Sequence, residues 1–330
     1  MQPKKKKFFG GVKRKFNLVK CRVLVVTLIF PFCTVSAEIL KLEQNVWTLL
    51  GDGYSINADN KGRVTNIGYI ETKESGIIVN TGISHNHAKQ IMLKISEISN
   101  KKKLNAIITE GTQKFALGAL SFEKFGVKTY AHPRATSQMA QRCIYCIQYL
   151  EEALGKEEME YTGVDSPRNI NLLDLTSHGS MSDVIVIDHG DTKSSGSIMV
   201  YHTPSAVLFA GDIVFSRVVP NIKESNLVQW KRSLKLLREL PISVIISGVG
   251  PKLKKSAIDD SLDYLEALDV ATKRLYEENQ DLLSATKNAD LPQFSNWSLY
   301  NERHSNNVMY RYLQIEEDEL TIKQQPEIQN

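Results

Sequence analysis

Apolar positions along this chain follow two different spacings. Short runs rich in β-branched residues, such as "GIIVNTG" at 76–82, are typical of buried strands. Between such runs, apolar residues recur every three or four positions, which predicts amphipathic helices over about 85–99 and around 227–237. Their apolar faces comprise Ala88, Ile91, Ile95 and Ile98 in the first helix and Leu227, Trp230, Leu234 and Leu237 in the second.

The predicted elements form two similar halves. The strands of the first half are "NVWTLL", "VTNIGYIET", "GIIVNTG", "LNAIITEG" and "VKTYAH", and a helix over about 134–153 follows them. The strands of the second half are "NINLLDL", "DVIVIDHG", "SIMVYH", "AVLFAGD" and "SVIISGVG", and a long helix near 255–283 follows them. Two strand-rich halves, each flanked by helices, predict an α+β sandwich of two sheets with helices on both outer faces.

The first 37 residues differ in character from the rest. Nine of the 41 basic residues lie within positions 1–22, no acidic residue precedes Glu38, and the apolar run "VLVVTLIFPF" leads to "CTVSA". This order is typical of a cleaved secretory signal, and the run is too short to span a bilayer by itself. An uncleaved membrane anchor is the alternative. The expected division is therefore a signal peptide at 1–37, one domain at 38–320 and a polar tail at 321–330.

Charge and cysteine content narrow the function classes. Removing residues 1–37 leaves 32 of the 41 basic side chains against 37 acidic ones, so the mature chain is mildly acidic and nucleic-acid binding has no electrostatic support. Cys143 and Cys146 in "RCIYCIQYL" fall on one side of a predicted helix. They are either two half-buried thiols or an oxidised pair, which export would permit.

The order of several motifs carries a family resemblance. Five segments occur in the order "IIVNTG", "IITEGTQKFALGA", "HGDTKSSGSIMVY", "VLFAGDIVF" and "VIISGVGP". Together they resemble the metallo-β-lactamase superfamily, which implies an αββα four-layer sandwich. Three further segments are "AHPRATSQMAQR", "RVVPNIKESNLVQWKRSL" and "NWSLYNERHSNNVMYRYLQIE". They are most similar to the quinoprotein relay system zinc metallohydrolases. Those are exported bacterial proteins found beside periplasmic quinoprotein dehydrogenases. The resemblance covers about 38–320 and implies a periplasmic or secreted protein with such a redox system as its partner.

The resemblance also shows where the zinc ligands of that superfamily would lie. The positions of its first metal loop fall on Glu110, Thr112, Lys114 and Phe115, and its last histidine falls on Val249. The aspartate that bridges the two zinc ions in the superfamily is kept as Asp212. Another zinc-binding histidine falls on Asp191, or on His189 if a two-residue insertion is placed differently. The aspartate of the superfamily's "DTG" turn, which lies behind the metal ligands, is replaced by Asn80.

These replacements remove most of the zinc chemistry. Valine and phenylalanine cannot coordinate a metal, and zinc requires about four nitrogen, sulfur or carboxylate ligands. An ammonium about 4 Å from a dication, at an effective dielectric near 20, would cost on the order of 8 kcal/mol. We therefore expect no conventional dinuclear zinc centre.

Three hypotheses remain for the cleft. In the favoured one the protein binds a ligand without catalysis or metal, and Lys114 pairs with Glu110, Asp191 or Asp212. In the second, the oxygen donors Glu110, Asp191 and Asp212, with Thr112 beside them, hold magnesium, calcium or manganese in a hydrolase. In the third, Lys114 and Glu110 act as base and acid without a metal.

The remaining histidines are expected to be structural. His85 and His87 follow the "NTG" turn rather than the metal-loop strand, so we expect both on the surface at the start of a helix. His202 should form a local hydrogen bond, and His304 and Asn307 should have a structural role at a domain or subunit contact.

Overall fold

The β-branched runs of the first half form a seven-stranded sheet. The structure, a computed structural model, describes residues 38–163, 168–169 and 183–324. Strands one to four are antiparallel to their neighbours, and strands four to seven are parallel. In sheet order, which is also chain order, they are β1 (Ile39–Glu43), β2 (Val46–Leu49), β3 (Ile67–Glu71), β4 (Gly76–Val79), β5 (Leu104–Ile108), β6 (Lys128–Ala131) and β7 (Arg168–Asn169).

The second half supplies a four-stranded sheet in which the outermost pair is parallel and the other two pairs are antiparallel. Its strands, in chain order, are β8 (Val184–Ile187), β9 (Met199–His202), β10 (Val207–Gly211) and β11 (Val244–Ser247). The predicted signal segment and most of the predicted strand "NINLLDL" lie outside the described residues. All described residues belong to one compact unit, Ala37–Asn330.

Helices cover the outer faces of both sheets. Those of the first half are α1 (His85–Ile98), α2 (Gln113–Ala116), α3 (Ala119–Lys124), α4 (Pro133–Leu154) and α5 (Lys156–Met159). Those of the second half are α6 (Leu227–Arg238), α7 (Ala257–Glu277), α8 (Leu282–Asn288) and α9 (Tyr300–Gln324), with a 3₁₀ turn at Pro292–Phe294. None of the described helices is both long enough and apolar enough to cross a membrane.

Separate apolar clusters hold the layers together. Ile77 and Ile107 of the first sheet pack with Phe209 and Ile246 of the second, which forms the core between the sheets. The outer face of the first sheet is covered by a cluster that includes Ile91. The outer face of the second is covered by a larger one, which includes Trp230, Tyr264 and Val308. The predicted α+β four-layer sandwich is therefore confirmed, with its αββα order of layers.

Two predicted boundaries differ from the structure. The helix expected near 255–283 ends at Glu277, because Asn279 takes a left-handed backbone conformation (φ 59°) and Asp281 begins α8 by accepting bonds from two backbone amides. At the other end, α9 continues to Gln324, so residues 321–324 of the expected tail are helical.

His87 corrects the expectation that both histidines of α1 lie on the surface. The helix does begin at His85, but the His87 ring is buried and its Nδ1 accepts a bond from the Ile83 amide at 3.4 Å. The side chain fits there because Gly82 has no Cβ; an added one would lie 2.7 Å from Nδ1. Burial, assisted by the charge of Arg63, lowers the pKa of His87 to about 3.

Candidate functional site

The candidate residues gather where β5, β10 and β11 end. Glu110 follows β5, Asp212 follows β10 and Val249 follows β11. The Asp212 amide donates to Glu110 Oε1 at 2.9 Å, which joins the first sheet to the second. The Gly248 amide donates to the Gly211 carbonyl at 2.6 Å and holds the β10 and β11 loops together. Three loops that are distant in sequence therefore form one cleft.

Asn80 holds the exit of β5 in place. Its Oδ1 accepts bonds from the Thr109 amide at 3.0 Å and from the Thr109 hydroxyl at 2.9 Å. The residue is buried and has a left-handed backbone conformation (φ 70°), which asparagine tolerates better than most residues. The side-chain amide of Asn80 thus positions the end of β5, just before Glu110.

The Lys114 ammonium occupies the centre of the cleft. Its Nζ lies 2.5 Å from Asp212 Oδ2 and 4.6 Å from the centroid of the Phe115 ring. Phe115 is completely buried, and an added Cβ on Gly248 would lie 2.3 Å from Asp212 and 2.5 Å from this ring. The lysine is therefore held between a carboxylate and an aromatic face, both of which attract a cation.

Glu110 lies beneath this ion pair and is fully buried. Its Oε2 accepts a bond from Ser194 Oγ at 3.3 Å, and Lys193 Nζ is 3.9 Å away. Burial and the neighbouring charge of Asp212 raise the pKa of Glu110, although Lys193 and Lys114 oppose the shift.

Asp212 responds in the opposite direction. Its burial alone would raise its pKa, but Lys114 and Lys193 outweigh that effect and lower the pKa below its ordinary value. Of the two carboxyl groups, Glu110 is therefore the first to take up a proton, and Asp212 remains the anion that holds Lys114.

Asp191 and His189 lie apart from this pair. The Asp191 side chain is 47% exposed; its Oδ1 forms an ion pair with Arg134 Nε at 2.8 Å and accepts a hydrogen bond from the Gly196 amide at 3.0 Å. His189 Nδ1 is 2.7 Å from Ser233 Oγ on α6. The structure thus joins Glu110, Lys114 and Asp212 but not Asp191. Within the part of the chain that is described, no three His, Cys, Asp or Glu side chains form a group that could hold a metal ion.

The donor set does not fit the zinc centre that the family resemblance implies. Phe115 and Val249 have no donor atom, and the Lys114 ammonium already forms an ion pair with the one retained ligand, Asp212. A zinc ion needs about four donors, most often imidazole or thiolate groups. No hydrolytic step through a metal-bound water can therefore be assigned to these residues.

A cavity of about 370 Å³ opens beside Lys114. One wall is apolar and includes Tyr54, Ile56, Val214 and Val218. The remaining lining includes polar and charged side chains, and two of its basic residues, Lys193 and Arg303, were not identified from the sequence. The volume is within the range of pockets for small organic ligands.

Lys193 and Arg303 have few partners of their own. Lys193 is 9% exposed, and its Nζ forms no hydrogen bond with the described residues. Arg303, on α9, donates from Nη1 to the Val219 carbonyl at 2.8 Å, and no described carboxylate lies within ion-pair distance of it. Their position within "HGDTK" and "NERH" was the only available signal, because no local spacing relates them to Lys114.

The other histidines singled out from the sequence make contacts elsewhere in the fold. His202 Nδ1 is 2.6 Å from Ser205 Oγ, which confirms the local bond expected there. His304 Nε2 is 2.7 Å from the Ala289 carbonyl, and Asn307 donates to the Pro220 carbonyl at 2.8 Å, so both stabilise the packing of α9. Cys146 lines the cavity, whereas the Cys143 side chain is outside the description and their pairing stays a prediction.

Comparison with protein families gives one match. Residues 119–249 match the model of the metallo-beta-lactamase superfamily. The match begins after Glu110, Lys114 and Phe115 and includes Asp191, Asp212 and Val249. A comparison with curated proteins gave no match.

Solved metallo-β-lactamases have the same fold. The FIM-1 enzyme from Pseudomonas aeruginosa, in its mono-zinc form, aligns with a TM-score of 0.55 and 18% identity over 70% of this chain and 96% of its own. The enzyme from Pontibacter korlensis aligns with a TM-score of 0.56 and 17% identity over 69% and 98%. The enzyme from Hirschia baltica gives 0.53 and 18% over 69% and 96%. Identities this low establish the fold alone.

Proposed function

Because this metallo-β-lactamase fold has a lysine ion-paired with its one retained metal-ligand position, we propose that the protein is a metal-free ligand-binding protein. Its role would be that of an exported accessory protein of a periplasmic quinoprotein redox system. The single observation that supports the metal-free part is the 2.5 Å contact between Lys114 Nζ and Asp212 Oδ2.

Electrostatics explains why this contact disfavours a metal. A dication placed about 4 Å from the Lys114 ammonium would be repelled by on the order of 8 kcal/mol at an effective dielectric near 20. Moving the lysine out of the site would break a partly buried ion pair, which costs free energy. The lysine therefore supplies the positive charge beside Asp212.

The accessory role depends on the resemblance of whole segments. "RVVPNIKESNLVQWKRSL" and "NWSLYNERHSNNVMYRYLQIE" are similar to the quinoprotein-associated proteins, and the basic and apolar start of the chain supports export. Fractionation of cells that express the full chain tests the export, and N-terminal sequencing tests cleavage after Ala37. Binding to a purified quinoprotein dehydrogenase tests the partner, and no binding at micromolar concentrations would contradict that assignment.

Metal content tests the main proposal directly. Protein purified from the full-length chain without added metal should contain no stoichiometric zinc, and its melting temperature should not change with a chelator. Stoichiometric zinc that is lost together with thermal stability on chelation would overturn the proposal.

Calorimetric titration separates the oxygen-ligand alternative. Binding of magnesium, calcium or manganese that is abolished by Glu110→Gln would favour the hydrolase hypothesis instead. No binding at millimolar concentrations is the expected result, because Asp191 is bonded to Arg134 rather than placed beside Glu110 and Asp212.

A further inference from the structure

Three cations surround the two carboxyl groups of the cleft. Lys114, Lys193 and Arg303 all act electrostatically on Asp212. Lys114 is matched by Asp212 at 2.5 Å, whereas Lys193 is 3.9 Å from Glu110 and Arg303 has no described carboxylate partner. The cleft therefore has an excess of one positive charge when Glu110 is ionised and of two when it is protonated.

Lys193 has few contacts for its charge: its Nζ is 3.9 Å from Glu110 Oε2 and forms no hydrogen bond with the described residues. A lysine that is nine-tenths buried normally has hydrogen-bond acceptors for its ammonium, because an unsatisfied buried charge is costly. Lys193 Nζ has none among the described residues, and the side chain lines the cavity. Its unused hydrogen bonds are therefore available to a group inside the cavity.

Two further polar atoms beside the cavity lack a partner. Thr112 Oγ1 and Gln138 Oε1 are buried and form no hydrogen bond within the described part of the chain, and both residues line the cavity. A hydroxyl donor and an amide acceptor suit a ligand that has both an oxygen anion and a second polar group.

The rest of the lining limits the size and nature of the ligand. Arg142 is paired with Glu224, so that part of the rim is neutral. Tyr54, Ile56 and Val214 provide an apolar wall, and about 370 Å³ is far more than an inorganic ion fills. The complementary ligand therefore has an apolar body, such as a ring, as well as its charge.

We propose that the cleft binds a small organic oxyanion, with its carboxylate or phosphate group between Lys193 and Arg303 and its ring against the wall of Tyr54, Ile56 and Val214. This inference rests on the proposed function, since it requires that Lys114, and not a metal, neutralises Asp212. Charge-assisted hydrogen bonds from Lys193 and Arg303 would hold the anion, and the hydroxyl of Thr112 would add a donor.

The test uses calorimetric titration of protein purified from the full-length chain. The probes are phthalate, phenyl phosphate, the neutral phthalamide and inorganic phosphate. Phthalate or phenyl phosphate should bind more tightly than phthalamide and inorganic phosphate, and the tighter of the two identifies the oxyanion. No binding of either organic anion at millimolar concentrations, or equal binding of phthalamide, overturns the inference.

Variants assign the binding to the cleft. Lys193→Met should weaken binding of the better anion about tenfold to a hundredfold, as expected for loss of one charge-assisted hydrogen bond. Lys193→Arg should keep most of the anion affinity of the original protein. Arg303→Gln should weaken anion binding as well, which tests the second cation independently. Lys235→Met, which removes an exposed lysine paired with Glu266, is the matched control and should leave the affinity unchanged. Unchanged affinity in both Lys193→Met and Arg303→Gln would refute the site.

Repeating the titration after treatment with a chelator distinguishes this inference from the proposed function. Anion binding that disappears on chelation would mean that a metal holds the ligand, which overturns both. Stoichiometric zinc with binding unaffected by its removal overturns the proposed function alone. Metal-free protein that binds neither anion overturns only the anion site.

Discussion

The cleft and the helical interface around Asp269 both contain a buried carboxylate with several cations, yet their contacts differ. Asp269 of α7 is 6% exposed and bonds Lys231 of α6 at 2.6 Å and Arg311 of α9 at 2.8 Å, while Lys273 is 3.4 Å away. Each of these cations has its anion within hydrogen-bond distance. In the cleft, Lys193 has no such bond.

The difference shows that satisfied contacts, more than the number of charges, distinguish a structural cluster from a binding site. The Asp269 cluster joins three helices and leaves none of its three cations without a partner. The cleft leaves the buried Thr112 hydroxyl and Gln138 amide oxygen unsatisfied beside a cavity, and Lys193 there has only a 3.9 Å ion pair with Glu110. Such groups are expected where a ligand completes the hydrogen bonding.

Breaking the structural cluster should have the largest effect on stability. Asp269→Asn leaves Lys231 without a described counter-charge and Arg311 with only the exposed Asp318, 3.8 Å away, so the free energy of unfolding should fall by about 3–5 kcal/mol. Chemical denaturation measures this loss. Glu266→Gln, which removes an exposed carboxylate from the same helix, should cost no more than about 1 kcal/mol. A loss in Asp269→Asn as small as that of the control would contradict the structural role of the cluster.

A further loss of stability in mild acid should come from His87, through protonation of its ring in the unfolded chain. Its pKa is about 3 in the folded state and near 6.5 unfolded, so the unfolded chain takes up the proton as the pH falls below about 6.5. Between pH 6.5 and 4 the free energy of unfolding should therefore fall by about 3 kcal/mol from this residue.

Asp269 contributes in a lower pH range. Burial alone would raise the pKa of Asp269, but the bonds from Lys231 and Arg311 lower it below its ordinary value. The stabilisation from Asp269 is therefore present above the pKa of the unfolded chain and is lost as the pH falls through the lower pKa of the folded protein. A His87→Gln variant should thus show a flatter profile between pH 6.5 and 4. A profile as steep as that of the original protein would show that another group is responsible.

Removing the cation of the cleft should have a smaller effect than breaking the Asp269 cluster. Lys114→Met deprives Asp212 of its 2.5 Å partner, but Lys193 and Arg303 still act on that carboxylate, and about a fifth of both paired side chains is exposed. We expect a loss of about 1–2 kcal/mol in the free energy of unfolding, between the values for exposed and buried pairs. A loss equal to that of Asp269→Asn would mean that the two clusters are alike.

Lys193→Met should show the smallest change in stability. Because its ammonium forms no hydrogen bond and its ion pair with Glu110 is long, at 3.9 Å, its replacement removes only a weak contact, so the melting temperature should change little. Anion affinity should nevertheless fall. A marked drop in melting temperature without loss of affinity would identify Lys193 as a structural residue.

Local sequence patterns predicted most of the fold. β-branched runs placed the strands that flank the cleft, and the order of motifs placed Glu110, Asp212 and Val249 at their ends. Contacts between distant segments were not predictable in this way. Asp191 is held by Arg134 at the start of α4, and Arg303 reaches the cleft from α9, which no spacing in the chain indicates. His87 was misplaced because its pocket exists only where Gly82 lacks a side chain.

The position of Arg303 has a consequence for how the protein is made. Both sheets are complete in sequence once β11 has been translated, but α9 must still leave the ribosome before the Arg303 guanidinium can join Lys193. A nascent chain can therefore contain every strand before it has a complete site for an anion. Premature termination before Arg303 would yield a chain with both sheets but without the guanidinium proposed to bind the anion.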